Sequence, residues 1–557
     1  MTSNNRILSL LTSFFITGLV AQTNQEPVWS MLAHATVSDH VTDLWVTPQG
    51  ESYMLGNVSY MSSSPALDGM MLVKANSDGQ EVWRKYYHPQ DNNYQLFSQS
   101  IVGDENGNIF LIYTDDFRYT DLNSTRIAVK KIDPDGNVIW SNFYTDVVEN
   151  LVESPRALSG VYKNGKLYFV STTGGTDPSD DLDAMIVKID AESGNLIQKM
   201  VFNSQYDTDD FFREVMVSDS GEVWAIGRSR GYMYPGGIYS DYDSNVVKYS
   251  ADGEFQWEHR TNGTSNNEDH GINMAIDADG NAYTSSQLRM LGINQRRVNI
   301  QKISPTGTVL WDYYYQGSSS GYTHDQPILV LPNGNVVFSA SNQDGIVTKA
   351  LNGLTGEELW SQNYNRSAAG AANRPYNMKC DASGNIYIAG QSRDNTPFGA
   401  GWDAVTIKYS ADGELLWIGN FNRGDYATSG ETSQVLKMDA IGNVYVAGGS
   451  QLGESTNYDF DFFLLKYGVG NLAVSTNDAL QYSCYPNPTT DIVNITASES
   501  AIEKVVLYDL YGHMVRQWQD LGNTKEVSLN MGEIAQGVYM AVVSGGGRSQ
   551  NLKIMKK

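Results

Sequence analysis

The chain has 557 residues, of which 41% are hydrophobic and 18% charged, and its formal net charge is −25 at pH 7. This length allows more than one domain, and the 52 glycines and 34 tyrosines favour β-structure with many turns. The acidic excess lies wholly before Cys484, because the remaining tail holds seven acidic and seven basic residues. A body of this charge argues against nucleic acid or anionic lipid as a partner, and it is compatible with cations, basic partners and neutral glycans.

The N-terminus is typical of a secretory signal peptide. Arg6 precedes an apolar run from Ile7 to Ala21 that ends in small residues and is too short to remain as a membrane span. No later segment offers 18 uninterrupted apolar residues. We therefore predict a signal peptide over residues 1–22, no transmembrane segment in the mature chain, and an extracellular or outer-membrane-surface location.

Two phrases recur along the next 440 or so residues, a length that suits one large repeat domain. The first is seen in "KYSADGEFQW" (248–257) and "KYSADGELLW" (408–417), and the second in "DASGNIYIAG" (381–390) and "DAIGNVYVAG" (439–448). The second phrase occurs eight times, and its turn glycines are Gly50, Gly107, Gly165, Gly221, Gly280, Gly334, Gly384 and Gly442. A fixed period of about 56 residues indicates a propeller or a solenoid.

Each repeat predicts four antiparallel strands. The segments around the turns are rich in β-branched and aromatic residues, and each D-x-x-G-N phrase is a tight hairpin in which Gly takes the positive φ. The last copy stops after "LLKYG" (464–468), and its missing strand is found at the N-terminus as "EPVWSMLAHA" (26–35). Such closure argues against a linear solenoid. We predict an all-β fold in which residues 23–468 form an eight-bladed β-propeller closed by an N-terminal strand.

These phrases resemble the bacterial β-propeller repeat of the D-x-x-G-N-x-Y-V-x-G and K-Y-x-x-x-G-x-x-x-W type. The resemblance implies the fold, and it implies that the repeated residues are structural. It implies little about function.

The composition changes after residue 468. A linker over 469–483 leads to alternating strands and a D-x-x-G turn at Asp509 and Gly512, which predict a small Ig-like β-sandwich over residues 484–557. The tail also resembles the type A C-terminal sorting domain of Bacteroidetes type IX secretion cargo. The residues that carry the resemblance are Pro486, Asn487, Pro488, Asp509, Gly512, Gly537, Tyr539, Lys553, Lys556 and Lys557. It implies outer-membrane passage through the type IX machinery, followed by release or attachment at the surface.

Candidate chemistry on the repeats has a structural explanation in each case. An aspartate stands five residues before the repeat lysine in Asp183, Asp243, Asp344, Asp403 and Asp461, with Asp68 one position further out. We interpret these residues as caps of strand ends, with a cation site as the alternative. The acidic hairpin turns lack the length and the distal glutamate of a calcium loop. We predict no cofactor and no metal site, and adventitious calcium binding stays open.

Three histidines lie ten residues before a turn glycine and beside an aspartate, namely His40, His270 and His324. They belong to separate repeats, which favours local hydrogen bonds over a shared metal site. Cys380 and Cys484 fall in different domains, and we interpret them as buried thiols rather than as a disulfide framework.

Two aromatic segments are the most binding-like parts of the sequence. They are "GYMYPGGIYSDYD" (231–243) and "WDYYYQGSSSGYTHDQP" (311–327), and their candidate ligand-binding residues are Tyr232, Tyr234, Tyr313, Tyr314 and Tyr315. Packing of these rings between blades is the alternative.

No P-loop, H-E-x-x-H or C-x-x-C motif is present, and we find no nucleophile elbow or paired catalytic carboxylates in a cleft-forming context, so we name no catalytic residue. The sequence favours a non-catalytic binding, adhesion or scaffold module with a glycan or protein ligand. The alternative is a glycan-active hydrolase or lyase whose site lies on the non-repeated loops. Acidic and histidine residues that converge at one channel mouth would favour the enzyme.

Overall fold

The computed structural model describes most of the chain between Asn24 and Lys557. The described residues are 24–34, 38–60, 67–89, 94–117, 125–144, 159–174, 182–206, 208–231, 233–234, 238–239, 241–264, 268–290, 296–316, 326–342, 345–365, 373–393, 402–422, 430–452, 459–468, 482–497, 501–508, 514–545 and 548–557. The predicted signal peptide and nearly all of the predicted linker lie outside them. The chain divides into two compact units, residues 1–468 and 469–557.

The all-β prediction is confirmed, since the described part of the chain contains strands and no helix. Consequently, none of the described residues forms a helix long and apolar enough to span a membrane. Cys380 and Cys484 are free thiols, and both are only partly buried, so the interpretation of them as buried residues is wrong in the degree of burial.

The described residues of the first unit form eight antiparallel sheets of four strands, which we number in chain order and list from first to fourth strand. Sheet 1 comprises Ser38–Val46, Ser52–Tyr60, Leu67–Ala75 and Glu81–Tyr87, and sheet 2 comprises Tyr94–Gly103, Ile109–Phe117, Thr125–Ile132 and Val138–Phe143. Sheet 3 comprises Gly160–Lys163, Lys166–Gly174, Leu182–Asp190 and Leu196–Phe202, and sheet 4 comprises Asp210–Val217, Val223–Arg230, Tyr242–Tyr249 and Phe255–Thr261. A two-stranded hairpin, Met233–Tyr234 with Ile238–Tyr239, interrupts sheet 4.

Sheets 5 to 8 follow the same order. Sheet 5 comprises His270–Ile276, Ala282–Arg289, Arg296–Ile303 and Val309–Gln316, and sheet 6 comprises Ile328–Val330, Val336–Asn342, Gly345–Leu351 and Glu358–Tyr364. Sheet 7 comprises Arg374–Cys380, Ile386–Arg393, Trp402–Tyr409 and Leu415–Phe421, and sheet 8 comprises Glu431–Met438, Val444–Leu452, Asp459–Tyr467 and Trp29–Ala33. The fourth strand of sheet 8 is thus the N-terminal strand, and Trp29 pairs with Lys466.

Consecutive sheets pack face to face. The first strand of each sheet contacts the first strand of the next, and the series returns to its start because the first strand of sheet 8 contacts that of sheet 1. Apolar residues of sheets 8 and 1 accordingly share one core, which includes Met31, Val41, Val73 and Leu464. Burial of apolar side chains on both faces of every sheet holds the sheets together.

In several sheets the repeated lysine and tryptophan bind the next sheet together. Trp29 Nε1 and Lys466 Nζ of sheet 8 both donate to the carbonyl of Ser77 in sheet 1, at 3.0 and 3.1 Å. Trp257 Nε1 and Lys248 Nζ of sheet 4 likewise donate to the carbonyl of Pro305 in sheet 5, at 2.9 and 3.3 Å. Two donors that share one carbonyl of the next sheet explain why the two residue types recur at a fixed spacing.

The second unit consists of two sheets around a core of its own. One sheet has Tyr482–Tyr485, Ile492–Ala497 and Glu526–Asn530, and the other has, in spatial order, Met514–Thr524, Ile502–Tyr508, Gly537–Gly545 and Arg548–Lys556. The core draws on both sheets, with Val493 and Leu529 from the first and Val505, Ala541 and Ile554 from the second.

Candidate functional site

The first unit has two dissimilar faces, and this follows from its strand order. Because neighbouring strands are antiparallel, the turns after the first and third strands lie at one end of each sheet, and all other connections lie at the opposite end. The first end holds the short glycine turns, such as those at Gly50 and Gly79, and we call it the turn face. We call the second end the loop face, and the sequence between the strand ends that meet there is longer and more variable. Variable connections on a rigid scaffold are where binding residues usually occur.

Sheet 4 places a group of charged and aromatic side chains on the loop face. The guanidinium of Arg228 lies 4.2 Å from the ring centroid of Tyr242 and 5.2 Å from that of Phe211. Arg230 lies 5.0 Å from the Tyr242 ring, and its Nη1 is 2.7 Å from Asp209 Oδ2. The Tyr242 hydroxyl donates to the same carboxylate at 3.2 Å. We call Asp209, Phe211, Arg228, Arg230 and Tyr242 the arginine–aromatic cluster.

Sheet 5 extends this cluster with a histidine and an acid. Arg228 Nη1 lies 3.4 Å from His270 Nδ1, and His270 Nε2 lies 3.6 Å from Glu268 Oε2. Burial, followed by the neighbouring carboxylate of Asp209, raises the pKa of Tyr242 to about 12, so its hydroxyl is a hydrogen-bond donor at physiological pH. The groups bind one another and remain partly exposed, which suits recognition better than proton transfer.

Fully buried acids lie beneath the loop face and brace the connections between sheets. Asp269 accepts hydrogen bonds from the backbone N–H groups of Gly263, at 2.5 Å, and Arg289, at 2.6 Å. Asp210 accepts one from the N–H of Ser204 at 2.7 Å. Burial raises the pKa of both Asp210 and Asp269 to about 7. These groups have a structural role, because each joins the start of one sheet to the end of the sheet before it.

A second set of polar groups links the first strands of neighbouring sheets. Glu214 Oε2 accepts from the N–H of Met274 at 2.9 Å, and Asp43 Oδ2 accepts from that of Ile101 at 3.0 Å. Burial raises the pKa of Glu214 to about 7. Burial, followed by repulsion from Lys437, lowers the pKa of Lys379, whereas Glu214 and Asp43 favour its charged form. The equivalent contact in two sheet pairs shows that Glu214 is a link between sheets.

The candidate tyrosines of the second aromatic segment lie on a strand rather than in a loop. They belong to Val309–Gln316, the fourth strand of sheet 5. The Tyr313 hydroxyl donates to Glu358 at 2.7 Å, and the rings of Tyr313 and Tyr315 pack on Phe338 of sheet 6. Tyr314 points outward and is 45% exposed. Packing between sheets, the alternative weighed for these residues, accounts for Tyr313 and Tyr315.

The first aromatic segment leads into the arginine–aromatic cluster. Tyr232 lies outside the described residues, and only the backbone of Tyr234 is described, in the short hairpin of sheet 4. The segment ends at Tyr242, whose ring is part of the cluster. The structure does not bring the tyrosines of the two segments together among the residues it describes.

The predicted histidines have separate neighbours. His40 packs on Phe460, with ring centroids 4.9 Å apart, and burial lowers its pKa. His270 contacts Arg228 and Glu268, as above, while His324 lies outside the described residues. Among the repeated aspartates, Asp403 Oδ1 accepts a hydrogen bond from Asn422 Nδ2 at 2.5 Å and Asp461 Oδ1 lies 2.6 Å from His34 Nδ1. Both contacts fit the interpretation of this aspartate as a strand-end cap.

The motif residues of the tail meet at one edge of the second unit. Asn487 Nδ2 donates to the carbonyl of Lys553 at 2.5 Å, and Asn487 Oδ1 accepts from the N–H of Met555 at 2.8 Å. The strand that starts at Gly537 pairs with the terminal strand, in which Lys556 lies opposite Gly537 and Ile554 opposite Tyr539. Asp509 and Gly512 lie outside the described residues. The proline-rich opening, the G-V-Y segment and the basic end therefore form one structural feature.

Comparison with known families bears first on this tail. Residues 483–557 match the family model described as a secretion system C-terminal sorting domain. This tail is a sorting domain. The predicted resemblance is confirmed, and the sorting domain implies a cargo of type IX secretion, with its destination at the cell surface or in the extracellular space.

The sheets that precede the sorting domain match a second model over less than half of the chain. Residues 243–456 match the family described as outer membrane protein assembly factor BamB, and the prediction of a β-propeller repeat is confirmed. No curated protein matches the chain.

Solved structures with partial similarity include two bacterial proteins and one fungal enzyme. A quinonprotein alcohol dehydrogenase-like protein from Bacteroides thetaiotaomicron is 13% identical, with 67% of this chain and 89% of that chain covered and a TM-score of 0.30. An alpha-L-arabinofuranosidase from Fusarium graminearum is 11% identical, with coverage of 67% and 93% and a TM-score of 0.35. A protein of unknown function from Bacteroides caccae is 12% identical, with coverage of 64% and 93% and a TM-score of 0.26. Similarities this low carry no information about activity.

Sequence reasoning missed most of the arginine–aromatic cluster. Arg228 and Arg230 stand at the end of the second strand of sheet 4, where sheet 7 has Gln391 and Arg393. Sheet 7 thus repeats the arginine at the position of Arg230 but not the one at the position of Arg228. A comparison of strand ends, rather than of the repeated phrases, would have drawn attention to Arg228.

Proposed function

We propose that this protein is a secreted or cell-surface cargo of type IX secretion that acts as a non-catalytic binding or adhesion module. In this proposal the eight sheets are the blades of an eight-bladed β-propeller closed by the N-terminal strand, and the sorting domain is an Ig-like β-sandwich. Support for the ring comes from the contacts between consecutive first strands, which return from sheet 8 to sheet 1. Support for the sandwich comes from two sheets around one core.

The observation that carries the binding role is the segregation of the two faces. Turns that are nearly identical from sheet to sheet occupy the turn face, whereas the connections that differ lie together on the loop face with the arginine–aromatic cluster. Partly exposed aromatic rings beside hydrogen-bonding groups suit sugars, which offer apolar ring faces and hydroxyl groups. The net charge of −25 disfavours polyanions. A neutral glycan is therefore the ligand class that we propose for the cluster.

The test is binding of purified protein to an array of neutral and charged polysaccharides. We expect saturable binding to a neutral glycan that weakens about tenfold or more in Tyr242→Ala and Arg228→Ala, because each removes stacking area and a polar contact. Tyr314→Ala is the matched control, since Tyr314 is an exposed tyrosine of the neighbouring sheet outside the cluster. Loss of binding in Tyr314→Ala but not in Tyr242→Ala would reject this placement.

The same samples distinguish a binding module from an enzyme. Release of reducing ends or of unsaturated sugars during incubation would support a glycan-active hydrolase or lyase and would overturn the non-catalytic role. We expect the glycan to be recovered unchanged.

A further inference from the structure

A histidine and two buried aspartates meet where the N-terminal strand closes the first unit. His34 follows the strand Trp29–Ala33, Asp461 lies in the third strand of sheet 8, and Asp39 lies in the first strand of sheet 1. Their ligand atoms all lie within 4.8 Å of one another, and His34 Nδ1 is 2.6 Å from Asp461 Oδ1. The carboxylates are 0% and 2% exposed at Asp39 and Asp461.

Part of this arrangement belongs to the repeat. His34 stands five residues after Trp29, and Asn422 stands five residues after Trp417 in the equivalent strand of sheet 7. Asn422 Nδ2 donates to Asp403 Oδ1, and both Asp403 and Asp461 pair across their sheets with a buried serine. An asparagine five residues after the repeat tryptophan is therefore enough to make the hydrogen bond to the third-strand aspartate, and a histidine is not required.

One feature goes beyond the repeat. The residue at this position of sheet 8 is an imidazole, which is a metal ligand and which an amide replaces in sheet 7. The carboxylate of Asp39 lies beside this imidazole from the next sheet, at the position that Asp210 and Asp269 occupy in sheets 4 and 5. The imidazole thus adds a nitrogen ligand to two buried carboxylates.

We propose that His34, Asp39 and Asp461 bind a divalent transition-metal ion of the zinc or manganese type and thereby fasten the closing strand and sheet 8 to sheet 1. One nitrogen and two oxygen donors fit these metals, whereas calcium prefers a shell of oxygens only. Tetrahedral ligands at about 2.0–2.1 Å from zinc lie about 3.3 Å apart, so the contact between His34 and Asp461 would open by less than 1 Å. His34 is 57% exposed, which leaves the ion a way in from solvent.

Binding to the folded form alone would stabilise the ring at its point of closure. His34 and Asp39 lie near the start of the first unit, whereas Asp461 lies near its end, hundreds of residues away in sequence. Unfolding would separate them and release the ion.

The experiment uses tag-free purified protein, stripped with a chelator and then titrated with zinc, manganese or calcium chloride. We expect one zinc or manganese ion per chain by calorimetry, and a rise of the unfolding midpoint by about 3 °C at saturating metal. His34→Asn and Asp39→Asn should each lose binding and the metal-dependent rise. His34→Asn should keep the metal-free midpoint, because asparagine serves at this position in sheet 7.

A matched control is available in sheet 1. His88 stands five residues after Trp83, in the same repeat position as His34, and His88→Asn should leave metal binding unchanged. Substoichiometric binding, binding that survives in His34→Asn, or binding of calcium alone would each overturn the proposal and leave His34 as the hydrogen-bond partner of Asp461. The readouts are independent of glycan binding, so this proposal and the proposed function can fail separately.

Discussion

Glu214, Asp210 and Asp269 show how single buried groups can set the pH response of a large β-protein. Each carboxyl accepts backbone hydrogen bonds between neighbouring sheets, and burial raises each pKa to about 7. The ordinary values for aspartate and glutamate in an unfolded chain are about 4. Since these pKa values are higher in the folded protein, the groups contribute stability that is complete below about pH 4 and is lost as the pH rises through about 7.

We predict that Glu214→Gln reduces the loss of stability between pH 5 and pH 8. The glutamine oxygen can still accept from Met274 N–H and the amide of Asn273, but the side chain no longer ionises. The unfolding free energy at pH 8 relative to pH 5 should rise by about 2 kcal/mol compared with the parent protein. Urea unfolding at the two pH values measures the difference.

The pH dependence of stability must be compared between variant and parent, because the histidines change the unfolding free energy in the opposite direction as the pH rises. Burial lowers the pKa of His40 and His259, so these groups add stability as the pH rises through about 6.5. Carboxyls with lowered pKa values, such as Asp381, are ionised in both states throughout this window and contribute no slope. An unchanged pH profile in Glu214→Gln would show that Glu214 ionises normally in the folded protein.

At this scale the sequence predicted repeated residues well and unrepeated ones poorly. The structural roles of the tryptophans and of the turn aspartates follow from their recurrence in repeat after repeat. Arg228, Tyr242 and His34 gain their significance from neighbours on other strands or sheets, and no spacing along the chain encodes those contacts.

At the scale of the element, a glycine turn is both a local structure and a contact surface for the neighbouring sheet. Gly79 and Gly334 have nearly the same φ, +81° and +82°, and both are left-handed positions that favour glycine. A Cβ on Gly79 would lie 2.5 Å from the ring of Trp29 in the closing strand, whereas a Cβ on Gly334 would have no atom within 4 Å. The two turns thus differ in their packing and not in their backbone.

We predict that Gly79→Ala is more destabilising than Gly334→Ala. Both variants share the left-handed strain of about 1 kcal/mol, and Gly79→Ala adds a clash worth about 1–3 kcal/mol because Trp29 must shift from Ser77. Thermal and urea unfolding of the two variants measure this difference directly, with Gly334→Ala as the control. Equal effects would mean that Trp29 moves away at little cost, and the closing strand would then be loosely held.

At the scale of the whole molecule, two compact units divide the work of the chain. The first unit has its own set of inter-sheet cores, and the second packs two sheets around a separate core. The sorting domain comprises residues 483–557, so its removal leaves every residue of the first unit in place.

We predict that a protein truncated after Gly468 keeps the unfolding midpoint of its first unit but is no longer sorted to the surface. The reason is that, among the described residues, the cores of the first unit include none beyond 468, whereas the secretion machinery addresses the sorting domain. Fractionation of a Bacteroidetes host and surface labelling measure localisation, and calorimetry of the purified protein measures the midpoint. Asn487→Ala in the intact chain is a smaller change to the sorting domain than truncation, because it removes the hydrogen bonds to Lys553 and Met555.

Surface display of the truncated protein would contradict the assignment of sorting to the tail. A large fall in the midpoint of the truncated protein would show that the two units depend on each other for stability.

The sequence by itself determined the all-β class, the repeat and its hairpins, and the sorting domain, because each of these is written in local patterns: alternation, turn glycines and short motifs. Tertiary structure alone decided which residues meet on the loop face. It placed Tyr313 and Tyr315 against the next sheet instead of in a binding loop, and it brought His34 and Asp39 to Asp461 across more than four hundred residues. The physical reason is that a closed repeat fold joins sheets through contacts whose partners are set by ring geometry, and ring geometry has no signature within any one repeat.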